Sequence, residues 1–370
     1  MKILITGGAG FIGSHTADAL IERGHRVRVL DSLRPPVHQN KQPFYRPEAA
    51  EFVEGNVTSR GDFEAALEGG DAVFHFAAYQ DYLPDFSTFF HINTVGTALL
   101  YEILVANNLP VRKVVVASSQ AVYGEGRYSC DQDGDFYPDI RPLDQLERGE
   151  WEIVCPGCGG QGMSIPTDES KTNPQNQYAM SKFTQEMVAL NLGRRYGIPT
   201  VAMRYSIVQG PRQSPYNAYS GVCRLFCLAH HANKSPTIYE DGRQLRDYVN
   251  IEDVVRANLL VMEKEEADYE SFNVGLGRAY TVLEFSKIVS DEFGSVHSSD
   301  LTGSFRLGDT RHIVSDITKL KILGWKPRYG PEKSVRDYRK WLEQQPELGD
   351  VLEYARKKMA EMDVVREVKE

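Results

Sequence analysis

The sequence predicts an α/β protein built on a doubly wound parallel sheet, with a smaller discontinuous α/β unit beside it. Three observations carry that prediction. Short apolar runs alternate with segments of helical spacing along most of the chain. The first run opens directly onto a glycine-rich turn and a helix, and the next ends on an acid. Later runs end in small or hydroxylated residues, the character of strand ends where open sheets bind ligands.

Taken in order, Lys2-Ile3-Leu4-Ile5-Thr6 suits a buried parallel strand. Gly7-Gly8-Ala9-Gly10-Phe11-Ile12-Gly13 follows at once. Residues 14–23 then place Ala17, Leu20 and Ile21 at helical spacing, and Gly24 closes the helix. The second strand spans 26–30 and ends on Asp31. Strand, glycine turn, helix, strand and acid make the dinucleotide-binding arrangement. Gly7 permits the tight turn, Gly10 lets backbone approach a pyrophosphate, and Gly13 allows close helix packing. The phosphates sit at the positive end of the helix. A carboxylate at Asp31 accepts hydrogen bonds from both adenosine ribose hydroxyls and repels a 2′-phosphate, so NAD is favoured over NADP. Arg28 and Arg34 lie nearby without replacing the acid.

Further along, 51–57 reads as a strand running into a loop. Residues 71–78 read as a strand whose closing Ala77-Ala78 lets backbone lie close to a flat cofactor. A long helix over 92–104 and a strand over 111–117 follow, with Ser118-Ser119 at the strand's carboxyl end. Tyr178 and Lys182 stand one above the other on a helix face. An ammonium beside a phenol favours the phenolate, lowering a pKa that starts near ~10. Such a tyrosine takes a proton from a sugar or alcohol hydroxyl while a dinucleotide takes the hydride. An exposed helix face explains the pair when it is read alone. The hydride acceptor upstream decides for chemistry.

Composition agrees. The chain has 370 residues, 41% hydrophobic and 25% charged, enough for one large domain or two fused ones. A formal charge of −9 gives no support for binding nucleic acid or an anionic membrane. The sequence shows no apolar run long enough for a bilayer and no room for a signal peptide, so a soluble cytoplasmic protein is expected.

These motifs resemble the extended short-chain dehydrogenase/reductases of the nucleotide-sugar epimerase/dehydratase family, over 1–328 apart from one insertion. The resemblance rests on the glycine turn, Phe76-Ala77-Ala78, 117–124 (ASSQAVYG) and 178–182 (YAMSK). Arg204-Tyr205, Gly210-Pro211-Arg212, 246–249 (RDYV) and 306–309 (RLGD) complete it. It implies a Rossmann-type NAD domain over 1–205 and 247–279, with a cysteine-bearing insertion at about 127–163. It also implies a substrate domain over 206–246 and 280–345, and a helical tail over 346–370 docked through Leu352, Ala355, Met359 and Met362. By the same resemblance Tyr178 is the base and acid, Lys182 holds the nicotinamide ribose and lowers the tyrosine pKa, and Ser119 bonds the sugar hydroxyl. Gly7, Gly10, Phe11, Ile12, Gly13 and Asp31 fall at cofactor positions, as do Phe76, Ala77, Ala78 and Tyr205. Asn56 and Val57 match the adenine contacts and Asn93 a residue near the nicotinamide. Arg246 and Arg306 match the arginines that neutralise a substrate diphosphate, a task suited to guanidinium forks. A homodimer through the Asn93 and Tyr178 helices is expected.

Two departures refine the reaction. Ile207 stands where the family has a substrate-contacting asparagine. Gln120 and Ala121 stand where dehydratases carry an Asp-Glu pair, and related decarboxylases also place Glu at the second position. Ala121 cannot transfer a proton, so water elimination is disfavoured. What remains is 4-epimerisation of a nucleotide-linked hexose through a transient ketone. An NAD-dependent nucleotide-sugar dehydrogenase or reductase is the alternative.

The insertion holds Cys130 and Cys155-Pro156-Gly157-Cys158-Gly159. The CPxCG segment resembles a zinc-knuckle turn, with Cys130 as a third ligand and Asp133 or Asp131 as a fourth. Reduced thiols, or a pair that oxidises adventitiously, are the other readings. Cys223 and Cys227 read as core. A cysteine-bearing insertion here, with 210–221, is similar to the dTDP-L-rhamnose 4-epimerase subgroup and implies a 6-deoxyhexose carried on dTDP. UDP-glucose, UDP-galactose or a uronic acid sugar suits the same catalytic residues.

Overall fold

The computed structural model describes residues 1–38, 41–43, 45–81, 84–216, 221–345, 351–353, 357, 359 and 364–369. The chain begins with β1 (Lys2–Thr6), α1 (Phe11–Glu22), β2 (Arg26–Asp31), β3 (Glu51–Glu54), α2 (Arg60–Leu67) and β4 (Ala72–His75). A continuous helical run follows: α3 (Phe86–Phe89), a π-helical stretch (Phe90–Val95) and α4 (Gly96–Ala106). Next come β5 (Lys113–Ser119), β6 (Arg127–Cys130), β7 (Gly134–Phe136), α5 (Leu143–Glu147), β8 (Met163–Ile165), α6 (Gln177–Tyr196), β9 (Thr200–Tyr205) and β10 (Ile207–Gln209). The remainder comprises α7 (Val222–His231), β11 (Thr237–Ile238), β12 (Leu245–Asn250), α8 (Ile251–Glu263), β13 (Ser271–Val274), β14 (Ala279–Thr281) and α9 (Val282–Phe293). Short β15 (Asp300–Leu301), β16 (Phe305–Arg306), α10 (Thr318–Ile322), α11 (Pro331–Leu342) and β17 (Val365–Arg366) close it.

Among the described residues the main sheet has seven strands in the order β13-β9-β5-β4-β1-β2-β3, all parallel. This is the Rossmann-type doubly wound sheet. The alternation of β1 explains its two covered faces. Ile3 and Ile5 join Ala17 and Leu20 of α1 and Val254 of α8, while Leu4 joins Phe63 of α2 and Leu100 of α4. From β1 the chain winds outward to β2 and β3, then returns to β4 on the other side. That reversal opens a crevice at the carboxyl ends of β1 and β4.

Phe86–Ala106 is long and apolar enough to cross a membrane by length and composition, which corrects the expectation that the chain has no such run. Its buried face, with Phe89, Leu100, Tyr101 and Leu104, packs in the core against α6. The tail also departs from an all-helical reading. Val365–Arg366 pairs antiparallel with Phe305–Arg306, and Lys369 reaches Glu147 of the insertion. Met359 is buried, and Ala355 and Met362 lie outside the described residues. Part of the subgroup resemblance, 217–220, lies outside them too.

Candidate active site

The site starts where β1 ends. Gly7 adopts φ 68°, and a Cβ there would come 2.7 Å from the backbone nitrogen of Ala77 after β4. A Cβ on Gly13 would come 2.3 Å from the carbonyl oxygen of Gly7. Three backbone segments therefore meet with no room for side chains. At Gly10 an added Cβ meets only the Gly7 oxygen, at 3.2 Å, leaving space beside the start of α1. This cradle fits a dinucleotide pyrophosphate at a helix N-terminus. Gly13→Ala is expected to push turn and helix apart and weaken NAD binding by roughly 1–3 kcal/mol, about five- to 150-fold. A fluorescence titration with NAD checks it.

Asp31 ends β2 at the rim of the same cleft. Its Oδ2 accepts from Ala9 N and its Oδ1 from Leu33 N, each at 3.0 Å. Both oxygens keep a further lone pair for a ribose hydroxyl. His38, unmarked in the sequence reading, lies 3.7 Å from Oδ1, and burial holds its pKa below the usual value against the pull of Asp31. The cleft, about 760 Å³, is lined by all the expected glycines, Phe11, Ile12, Asn56, Val57, Phe76, Ala77, Ala78 and Tyr205. Ser119, Tyr178, Lys182 and Arg246 line it as well.

At the catalytic end, Ser119 Oγ accepts from Ala121 N at 3.1 Å and shares a hydrogen bond with the Tyr178 phenol. Tyr178 sits in the first turn of α6, whose N-cap Asn176 accepts from Ala179 N at 2.9 Å. One turn on, Lys182 Nζ donates to Ala117 O at 2.7 Å and Gln185 Oε1 at 2.8 Å. Burial pushes the phenol up to about 12, with the Ser119 bond pulling the other way, and lowers Lys182 to about 7. The expected depression of the tyrosine by the lysine is not seen in this state: burial raises the phenol, and the opposing pull comes from Ser119. Two of the three ammonium donors are already engaged.

Behind the pair runs a polar chain that the sequence does not signal. Gln185 donates to Thr97 Oγ1 at 3.0 Å, and Thr97 donates to Asn93 O at 2.8 Å. His75 Nε2, 3.0 Å from the same hydroxyl, must then be its donor, and Nδ1 accepts from Thr6 Oγ1 at 2.9 Å. Burial drops the His75 pKa to about 3, so the ring is neutral. Thr6 Oγ1 in turn accepts from Ala77 N at 3.1 Å. Catalytic helix and glycine cradle are one hydrogen-bonded body.

Asn93 needs correction as a cofactor contact. It is fully buried and does not line the cleft; its amide bonds Tyr79 N, Tyr79 O and Ser181 Oγ at 2.7, 3.1 and 2.9 Å. It is a positioning residue, fastening the loop after β4 to the turn that carries Tyr178. Arg306 does not itself line the cleft in this structure. It stacks over Tyr239 and pairs with Asp309 at 2.7 Å, and it is Asp309 that lines the cleft. Arg246 lines the cleft with its guanidinium drawn against the carbonyls of Leu245, Thr310 and Arg311.

Gln120 Nε2 donates to Ser315 Oγ at 3.0 Å, and Ala121 faces the cleft beside it. Among the described lining residues the carboxylates are Asp31 and Asp309, one held by backbone amides and the other by Arg306. Among the described residues, no uncommitted carboxylate lines the cleft beside Tyr178.

Sequence reasoning also missed a buried charge cluster below Arg246. Arg311 joins Glu152, Glu240 and Asp241, His312 Nε2 lies 2.9 Å from Glu152, and Arg141 joins Glu240 and Glu125. Burial pushes Glu125 up to about 7, while His312 and Arg311 hold Glu152 down to about 2. In the insertion, the ligand atoms of Cys130, Asp133, Cys155 and Cys158 lie within 4.8 Å of one another; Asp131 is outside that group. Cys223 and Cys227 are buried in the core of α7.

The NAD dependent epimerase/dehydratase family model matches residues 3–143 and 157–275, and the break falls inside the insertion. A dTDP-L-rhamnose 4-epimerase of Burkholderia thailandensis is 33% identical, over 93% of this chain and 95% of its own. The structure of a UDP-glucose 4-epimerase from Thermotoga maritima with UDP-glucose is 30% identical at TM-score 0.77, over 93% and 99% of the two chains. A Thermus thermophilus UDP-glucose 4-epimerase in complex with NAD is 26% identical at TM-score 0.73, over 94% and 100%. With cradle, acid and Tyr-Lys pair sharing one cleft, the chain belongs to the NAD dependent epimerase/dehydratase family.

Proposed function

We propose that this chain is an NAD-dependent 4-epimerase of a nucleotide-diphosphate hexose, acting through a transient 4-keto sugar. The observation that carries the reading is the Ser119–Tyr178–Lys182 group in the cleft of the glycine cradle, with no free carboxylate beside it among the described lining residues. Elimination needs further proton carriers at neighbouring sugar carbons. Gln120 and Ala121 supply none.

Bound NAD supplies the two-electron acceptor that becomes the donor in the return step. Tyr178 takes the proton of the 4-hydroxyl, and Ser119 holds that hydroxyl against the phenol. Lys182 stabilises the phenolate once the cleft is filled. The ketone then presents its other face while the diphosphate stays tethered near Arg246, and Tyr178 gives the proton back. Asp31 favours NAD by accepting from the adenosine ribose. A dTDP-linked 6-deoxyhexose is the preferred substrate, supported by the likeness to the Burkholderia enzyme.

We further propose that residues 206–246 and 280–345 close over the sugar. A homodimer through the Phe86–Ala106 run and α6 is supported by Phe86, Val95, Met180 and Met187, which are exposed on them. A cytoplasmic location suits the five unbridged cysteines.

The test is an NMR screen of dTDP-L-rhamnose, UDP-glucose and UDP-glucuronic acid with the purified protein. Expected is a C4 epimer appearing without net NADH. Stoichiometric NADH with no epimer would favour the dehydrogenase reading instead.

A further inference from the structure

The insertion is a poor candidate for self-sufficient folding. Over 127–163 its fully enclosed apolar side chains are few, chiefly Tyr128, Leu146 and Ile153. Its three strands are short, in the order β7-β6-β8. Pieces of this size ordinarily need a staple. Two turns of matching form face each other at its tip. In Cys130-Asp131-Gln132-Asp133 the backbone amides of Gln132 and Asp133 point at Cys130 Sγ. In Cys155-Pro156-Gly157-Cys158 a hairpin closes through Cys155 N to Gly160 O at 2.7 Å, and Gly160 N donates to Cys158 Sγ at 3.4 Å.

The separations are those of ligands around one small ion. Cys130 and Cys158 sulfurs are 3.3 Å apart, too far for a disulfide, and Cys155 Sγ lies 3.2 Å from Asp133 Oδ2. Tetrahedral ligands at ~2.3 Å from zinc lie about 3.5–3.8 Å from one another. Asp133 fits against Gly157, where a Cβ would come 2.5 Å from its Oδ2. Three thiolates and one carboxylate, with no place left for substrate, make a soft, closed donor set.

We propose that Cys130, Asp133, Cys155 and Cys158 bind one structural zinc ion that fixes the insertion against the substrate end of the cleft. The second half follows from Glu152, three residues before Cys155. Its carboxylate holds Arg311 at 2.5 Å and His312 at 2.9 Å. The carbonyls of Thr310 and Arg311 in turn receive the Arg246 guanidinium at 2.6 and 3.0 Å. Zinc, Glu152, Arg311 and Arg246 form one mechanical chain. The ion site stands independently of the reaction; its coupling to Arg246 rests on the function proposed above.

Protein purified under reductant is expected to carry about one zinc per chain by metal analysis. Cobalt(II) added to zinc-depleted protein gives an intense thiolate-to-cobalt absorption, and Cys158→Ser loses it. Asp133 is exposed, so its variants leave the hairpin packing alone. Asp133→Asn loses zinc to a chelator on the order of tenfold faster, and Asp133→Cys retains it. Removing the zinc raises KM for the nucleotide sugar on the order of tenfold, with kcat changed less. Zinc below about 0.2 per chain with no cobalt absorption overturns the site. Equal chelator resistance of Asp133→Asn and the native chain overturns the ligand set. An unchanged KM in zinc-free, active protein overturns the coupling alone and leaves the epimerase reading standing.

Discussion

Tyr178→Phe is expected to lower kcat by about 10²–10⁴-fold while NAD binding and melting temperature hold. The variant removes one oxygen and keeps the ring that Phe89 and Tyr79 pack against. Ser119 loses its bond to the phenol, and among the described residues that line the cleft no carboxylate stands at that point to replace it. Loss of less than tenfold would mean that the base lies elsewhere. The pH profile tests the same pair from another side. Burial lowers the lysine to about 7 and raises the phenol to about 12, and under the proposed mechanism the two act as one proton-holding pair. The working state has lost one proton from the pair, whichever atom holds the other. So kcat/KM should climb about tenfold per pH unit below about 7 and level off above it. In Lys182→Met the phenol must lose the proton alone, which moves that limb upward by more than one pH unit.

Arg311→Met is expected to be the most destabilising single change away from the reaction. The guanidinium is fully buried and is shared by Glu152, Glu240 and Asp241. Its removal leaves enclosed Glu240 with Arg141 as its remaining cation and takes the shared cation from Glu152 and Asp241. Breaking a buried pair from one side costs about 3–5 kcal/mol. At ~2.1 cal/mol/K per residue that is a fall in Tm of about 4–6 °C for a chain of this length. Differential scanning calorimetry reads it. A drop under one degree would show that the carboxylates find other partners. Activity should fall as well, because Arg311 carries one of the carbonyls that orient Arg246.

The cofactor half of the site was legible because its chemistry is local. Glycine spacing, the strand that follows and Asp31 lie within one continuous segment, and each obeys a short-range rule of turn geometry or helix capping. Tyr178 and Lys182 were legible for the same reason, since helical spacing alone puts them together. Asn93 and Arg306 show that matching a position does not give the direction of a side chain. Asn93 turns inward to Tyr79 and Ser181, and Arg306 turns to Asp309. The Glu152–Arg311–His312 group was invisible for a different reason. Its members are some 160 residues apart and meet only when the insertion folds back. Arg311 and His312 do follow the recognised 306–309 segment, a faint signal that polar residues continue there.

The π-helical stretch over Phe90–Val95 has its own consequence for reading relatives of this chain. A π turn takes up one extra residue, so the helix changes phase partway along instead of carrying one stripe. Before the stretch the inward side chain is Phe89, packed beside Tyr178; after it the inward row is Thr97, Leu100 and Leu104. Asn93 sits at the change of aim. A homologue shorter by one residue here has lost no loop: its helix would point a different side chain at the Tyr79 backbone. An alignment gap at this spot should therefore be read as a rotation.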